Sequence, residues 1–263
     1  GVLEYAGGIA LHCCAGSSAL VAARVIGRRT GWPGAAAATH NPVMVLAGGA
    51  LLFIGNFALT GGWTLAATDD ASSAIINAHV AACVSGLVWL LIEKLRTRTV
   101  TAMGLVNGLV IGMAAIAPAS GLVSPGAAIL VGLIAAPAGY FGLRFVTETL
   151  AIDDSNHAFA LHGIGGLVGA LLVAIFISES FGGVGYGEGG GMIGQLVAQM
   201  IGLAGVAMWS ILATLVISYG VAMAIPMRIS VAEEAGEALA PPAPQPVADA
   251  APPVPEHSAA PQG

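Results

Sequence analysis

Two histidines stand where an ionisable ring is costly. His12 and His162 each lie inside a long apolar run, in IALHCCAG and FALHGIGG. A neutral imidazole carries one N–H and one bare ring nitrogen. Two of them can share a hydrogen bond, accept one from a guest, or relay a proton. Such a group in a membrane segment marks function by default, because desolvating it unused only costs free energy. The surroundings of the two rings repeat. A carboxylate stands eight residues earlier (Glu4, Asp154), Ala-Leu immediately precedes, and a glycine follows four later (Gly16, Gly166). An acid at a helix start caps free N–H groups and complements the positive end of the dipole, so both carboxylates are expected as caps. The same pair could ligate a haem axially, but no quinone or second-haem constellation accompanies it.

The elements that must carry these residues follow from composition. Of 263 residues, 57% are hydrophobic and 8% charged, against about 25% charged in soluble domains. A water-soluble surface cannot be built from that balance. Apolar runs near 20 residues indicate membrane spans, and 38 glycines suit close helix packing in lipid. Seven spans are expected, at about 6–27, 43–67, 74–95, 99–117, 126–147, 157–178 and 192–226. They are separated by TGWPG with HNP, TDDASS, KLRTRT, PASGLVSPG, TETLAIDDSN and ESFGGVGYGEGGG. The last span exceeds one crossing, which implies tilt, a bend or an extension into water.

With seven alternating spans, all eight basic residues fall on one side: Arg24, Arg28, Arg29, Lys94, Arg96, Arg98, Arg144 and Arg228. The positive-inside rule makes that side cytoplasmic, with the amino terminus outside. The expected location is the cytoplasmic (inner) cell membrane. The net charge of −6 points to no nucleic-acid partner, since five of the fourteen acids lie beyond residue 230. Cys13, Cys14 and Cys83 fall within spans and read as small packing residues rather than a disulfide framework. The chain opens on Gly1 beside a span without a basic leader, so a missing amino-terminal part is expected. Residues 1–230 form the expected transmembrane domain. Residues 231–263, rich in Ala and Pro, are expected to be a disordered cytoplasmic tail.

The two histidines are 150 residues apart with four spans between them. Five spans per repeat is an odd number, so the two helices enter the membrane from opposite faces. That is an inverted repeat, and transporters so built place their sites near the midplane, where the halves meet.

At these residues the chain resembles the Amt/Mep/Rh ammonium transporters, over nearly all of residues 1–237. EYAGGIALH is similar to the family's D-F-A-G-G-x-x-V-H. NGLVIGMAAIAPASGLVSPGAAILVG resembles its A-G-L-V-x-I-T-P-A-x-G-x-V region. DDSNHAFALHGIGGLVGALLVAIF resembles its D-D-x-x-D-x-F-x-x-H-G-x-G-G-x-x-G helix, and FGGVGYGEGGGMIGQLVAQMIG its final loop and helix. The resemblance implies an all-α polytopic membrane protein: an ammonium-transporter-like helix bundle with an inverted repeat, from the family's fifth helix onward. It implies a homotrimer with one pore per subunit, conduction past His12 and His162, and a vestibule-shaping role for Glu4. No metal or cofactor is implied.

The chemistry is consistent with that. Moving a small cation into low dielectric has an idealised cost of order 20 kcal/mol, softened to several in real proteins. Ammonium can instead lose a proton. With an aqueous pKa of roughly 9, that costs about 3 kcal/mol at pH 7. Neutral ammonia then crosses an apolar constriction, a route closed to sodium and potassium.

Some positions depart from the family pattern. Its F-G-W-F-G-F-N-x-G-S helix is FIGNFALTGGW here, with Asn56 for a tryptophan, Leu59 for the gate phenylalanine, Thr60 for an asparagine and Trp63 for the serine of the outer cation site. These four are the pore-gate or outer-site candidates. His157 replaces an aspartate. Asn77, His79 and Asn107 are polar within spans and are expected to bond between helices. The tail lacks the family's Leu-Asp and His-Gly-Glu, which argues against regulation by a P-II signalling protein. The alternatives to transport are a non-conducting, sensor-like homologue and an Rh-type gas channel.

Overall fold

The computed structural model describes residues 1–33, 41–187, 190–231, 233, 234 and 236. His40, His257 and nearly all of the expected tail lie outside them. Among them, seven main helices follow one another: α1 (Gly8–Ile26), α2 (Pro42–Gly62), α3 (Asp69–Thr97), α4 (Ala102–Ile116), α5 (Pro125–Thr149), α6 (Phe159–Phe176) and α7 (Met192–Ala224). No strand occurs among the described residues.

The helix starts are written locally. Thr68, Thr101 and Ser124 each accept a backbone N–H three residues on, through their hydroxyls. Asn41 caps the N–H groups of Val43 and Met44, at 3.0 and 3.1 Å. Pro42 and Pro125 follow their caps directly, where a missing N–H costs nothing. α3 carries Asp69 and Asp70 in its first turn and Lys94 and Arg96 in its last, complementing its dipole.

Among the described residues, six helices are long and apolar enough to cross a membrane. The exception is α4, on the expected span 99–117. It has 15 residues, about 22 Å at 1.5 Å each. Pro118, without an N–H, ends it, and the chain continues through tight turns, Ala119 N–H to Ile116 O and Leu122 N–H to Ala119 O. α4 is the central helix, packed against α2, α3, α5 and α6, and nearly every residue from Val110 to Ala119 is buried. α7, at 33 residues, is about 50 Å of continuous helix and outlasts a hydrocarbon core.

Small residues bring the backbones together. The carbonyl of Ala81 on α3 lies where a Cβ on either Gly112 of α4 or Gly132 of α5 would come within 2.6 Å of it. Three helices therefore cross closely at one alanine, the packing expected where lipid removes the hydrophobic drive between helices. Outer faces stay apolar: Leu51, Ile54, Ile193, Ile201, Trp209 and Val216 are all more than half exposed. Such a surface suits lipid and not water.

The basic residues gather at one end. Arg28 donates to Ala151 O at 2.7 Å, Arg29 pairs with Asp153, Arg228 pairs with Glu234, and Arg96 lies over Phe141 at 5.1 Å. Glu234 also accepts the Thr30 N–H, so the chain after α7 is tied to the exit of α1.

Candidate functional site

α1 and α6 begin alike. Glu4 accepts the N–H groups of Gly7, Gly8 and Ile9; Asp154 accepts those of Ala158, Phe159 and Ala160. Both acids thus hold three of the orphan donors at a helix start. Five residues before each histidine the backbone is left-handed, at Gly7 (φ 93°) and His157 (φ 56°). Each helix then opens with a wide π turn, Gly8–Cys13 and Phe159–Gly163, and each histidine sits in that turn. The His12 N–H reaches back five residues to Gly7 O at 2.9 Å. Wide turns of this kind displace side chains from the ordinary helical register and recur at functional sites.

The crossing of the two helices is as close as backbones permit. A Cβ on Gly16 would overlap the backbone of Gly163; one on Gly166 would overlap the Gly8 carbonyl and crowd Cys13 N. With no side chain in between, the rings meet. His12 Nδ1 and His162 Nδ1 are 2.9 Å apart, and the ring planes differ by 4°. Such a contact needs one Nδ1–H and one bare Nδ1. When both rings are neutral, one therefore presents Nε2–H and the other a bare Nε2. The pair is polarised: one outward nitrogen donates and the other accepts. His12 Nε2 is buried with no partner among the described residues.

A cleft of about 400 Å³ adjoins the pair. Leu51, Leu52, Asn56 and Leu59 of α2 and Val110 and Met113 of α4 line it together with His12 and His162. Its walls are apolar except for the rings and Asn56, whose buried Nδ2 also lacks a partner. The four gate or outer-site candidates therefore separate. Asn56 and Leu59 line the cleft beside the rings. Thr60 is fully buried and donates its hydroxyl to Asn56 O at 2.9 Å, while Trp63 caps the end of α2 half exposed and outside the cleft. Thr60 is rotated past the edge of the face that lines the cleft, whereas Trp63 shares that face but lies a turn beyond the last lining residue, Leu59.

Val110 and Met113 were not legible as wall residues, since α4 is apolar on every side. Asn77 bonds between elements as expected, donating to Ser120 O and Val123 O. Asn107 contacts His157, Nδ2 to Nδ1 at 3.1 Å. His79 faces Phe53 and Phe57 and lies 3.7 Å from Cys83 Sγ. Among the described residues, no cluster of three or more His, Cys, Asp or Glu could hold a metal.

At the basic end lies a second space of about 660 Å³, lined by His157, Asp153, Asp154, Arg29, Arg144 and Glu148, among others. Burial alone would raise the Asp153 carboxyl, but the hydrogen bonds and charge of Arg29 outweigh it and hold the carboxyl below its usual range.

The family model described as Ammonium Transporter Family matches residues 1–241. An ammonium transporter of Archaeoglobus fulgidus is 36% identical over 237 residues, 89% of this chain and 59% of that protein. One of Bacillus subtilis is 33% identical over 239 residues, 89% of this chain and 58% of that protein. Among solved structures, a protein titled Sensor Amt Protein aligns with a TM-score of 0.81 at 28% identity, over 89% of this chain and 58% of that one. The crystal structure of Saccharomyces cerevisiae Mep2 aligns at 0.76 with 29% identity, over 89% and 55%. The chain thus spans somewhat more than half the length of these relatives. By the extent of that match and the helical architecture it shares with them, this chain belongs to the Ammonium Transporter Family.

Proposed function

We propose that the protein moves ammonium across a cell membrane by releasing its proton and passing ammonia beside the His12–His162 pair. The supporting observation is the contact between the two rings at the edge of an apolar cleft. A bare cation is excluded there by the cost of desolvation, whereas ammonia finds one donor and one acceptor on the polarised pair. The basic end faces the cytoplasm, where positive charge is retained. Glu4 and Asp154 act as caps that fix the histidine-bearing turns. The apolar flanks of α2 and α7 meet lipid or further copies of the protein, as a homotrimer requires.

The test is uptake by purified protein in liposomes, read from internal pH after an ammonium pulse. Wild type should pass ammonium and exclude potassium. His12→Ala or His162→Ala should change the rate or admit potassium; unchanged rate and selectivity in both would remove the proposal's basis.

A second reading, a sensor-like protein that binds ammonium without conducting it, draws on the likeness to the protein titled a sensor and on the altered residues of α2. Growth of a transporter-deficient strain on limiting ammonium separates the two. Rescue supports transport, and no rescue despite expression at the membrane supports sensing.

A further inference from the structure

We propose that His157 is the proton-exchange group at the inner mouth of the ammonia path: its imidazolium protonates ammonia leaving the His12–His162 pair, and its neutral ring takes a proton from ammonium moving the other way. The inference rests on the reading of that pair as a conduction site.

Three observations carry it. The first is backbone geometry. In the internal repeat, His157 occupies the place of Gly7, and both are left-handed, at φ 56° and 93°. Glycine adopts that conformation freely, whereas a residue with a Cβ does so at a cost. Histidine tolerates this conformation better than most residues, and a ring held at some backbone cost beside the start of α6 is consistent with a use for it.

The second is position. Asn107, Val110 and Met113 are spaced by three on α4 and share one face. Val110 and Met113 line the cleft of the histidine pair, and Asn107 holds His157. Along α4, Asn107 lies about 4.5 Å of helix rise before Val110 and about 9 Å before Met113. His157 also lines the space at the basic end. It therefore stands between the apolar cleft and the cytoplasmic water.

The third is its partner. The Asn107 amide can donate to a bare Nδ1 or, turned over, accept from Nδ1–H. It can thus satisfy both protonation states of the ring, as a group that exchanges protons in each cycle requires. The other charged groups around this space come from several elements and are already engaged: Asp153 with Arg29, Arg144 with Glu148, and Asp154 with three N–H groups. His157 is the ring in this space whose partner is a neutral amide and not an opposite charge. Burial outweighs the nearby Asp154 carboxylate and makes its imidazolium the readier to give up a proton. The step balances: imidazolium and ammonia become neutral imidazole and ammonium, and the ring recovers its proton from water on the cytoplasmic side.

The test uses the whole protein in liposomes, measuring ammonium flux with the inner pH set between about 5.5 and 8. His157→Asn tolerates the left-handed backbone but cannot titrate, and His157→Gly relieves the strain. Both should fold at least as well as wild type by thermal unfolding, lose about ten-fold or more in rate, and lose the dependence on inner pH. His157→Asp, which can carry a proton, should recover much of the rate, with its pH profile displaced toward acid. Wild-type rate and profile in His157→Asn, or equal loss in folded Asp and Asn variants, would overturn the proposal. His12→Ala and His162→Ala serve as the separate control: if both leave rate and selectivity unaltered, the conduction reading has failed, whatever His157 does.

Discussion

Gly16 rests on the backbone of Gly163, four residues past one histidine and one past the other, with no space for a side-chain carbon between them. That contact, and its counterpart from Gly166 to Gly8 and Cys13, sets how closely α1 and α6 cross. The crossing in turn brings the two Nδ1 atoms to 2.9 Å. A carbon inserted there must move backbone, since no flexible side chain is available to yield.

Gly16→Ala should therefore act on stability and function together. Overpacking of this kind costs about 1–3 kcal/mol, which should appear as a lowered melting temperature in detergent. Ammonium flux should fall with it. A variant that melts normally and conducts normally would show that the crossing can relax.

Glu4 holds three backbone N–H groups at the entrance to α1. Glu4→Ala leaves them without a partner, and the loss should reach or exceed the roughly 1 kcal/mol typical of a single cap. Glu4→Gln keeps an acceptor and should retain part of that. Melting temperatures in the order wild type, Gln, Ala would establish the cap. Asp154→Ala should behave as Glu4→Ala does, because it does the same for α6.

The pair of Arg29 and Asp153 makes stability depend on pH in a defined direction. The native Asp153 carboxyl is held below its usual value. Its stabilisation is therefore present above the unfolded value, about 3.9, and is lost as pH falls through the native one. Arg29→Ala should destabilise most at pH 6–8 (about neutral, with Asp153 ionised) and progressively less below about pH 4. Melting curves of the two proteins across that range should converge on acidification. Curves that stay parallel would mean that the ion pair contributes nothing.

Asn56 places an unpartnered buried amide in the cleft. Such a group costs about 1–3 kcal/mol. Asn56→Leu should then raise the melting temperature and alter flux, as expected if the amide meets a guest during passage. A fall in melting temperature would show that the amide is satisfied in the folded protein.

Much of this was readable from the chain alone. The existence of the helices follows from apolar runs, because a backbone in hydrocarbon must bond to itself. Their starts follow from Asn41, Thr68, Thr101 and Ser124, whose side chains act within three residues. The unusual placement of His12 and His162 was legible for the same reason, since an ionisable ring in such a run is conspicuous without coordinates. Family membership was legible in four motifs.

What depended on helix rotation and crossing was not. Sequence marked Asn56, Leu59, Thr60 and Trp63 together, but only packing set the cleft against the first two, buried Thr60 beside it and left Trp63 beyond its end. Nor did it connect Asn107 with His157, fifty residues apart, or shorten α4 at Pro118. Local sequence sets which groups a helix must satisfy within its own turns. Which groups meet across helices is decided by backbone approach at glycines such as Gly16, Gly112 and Gly166, and that approach exists only once all the helices have packed.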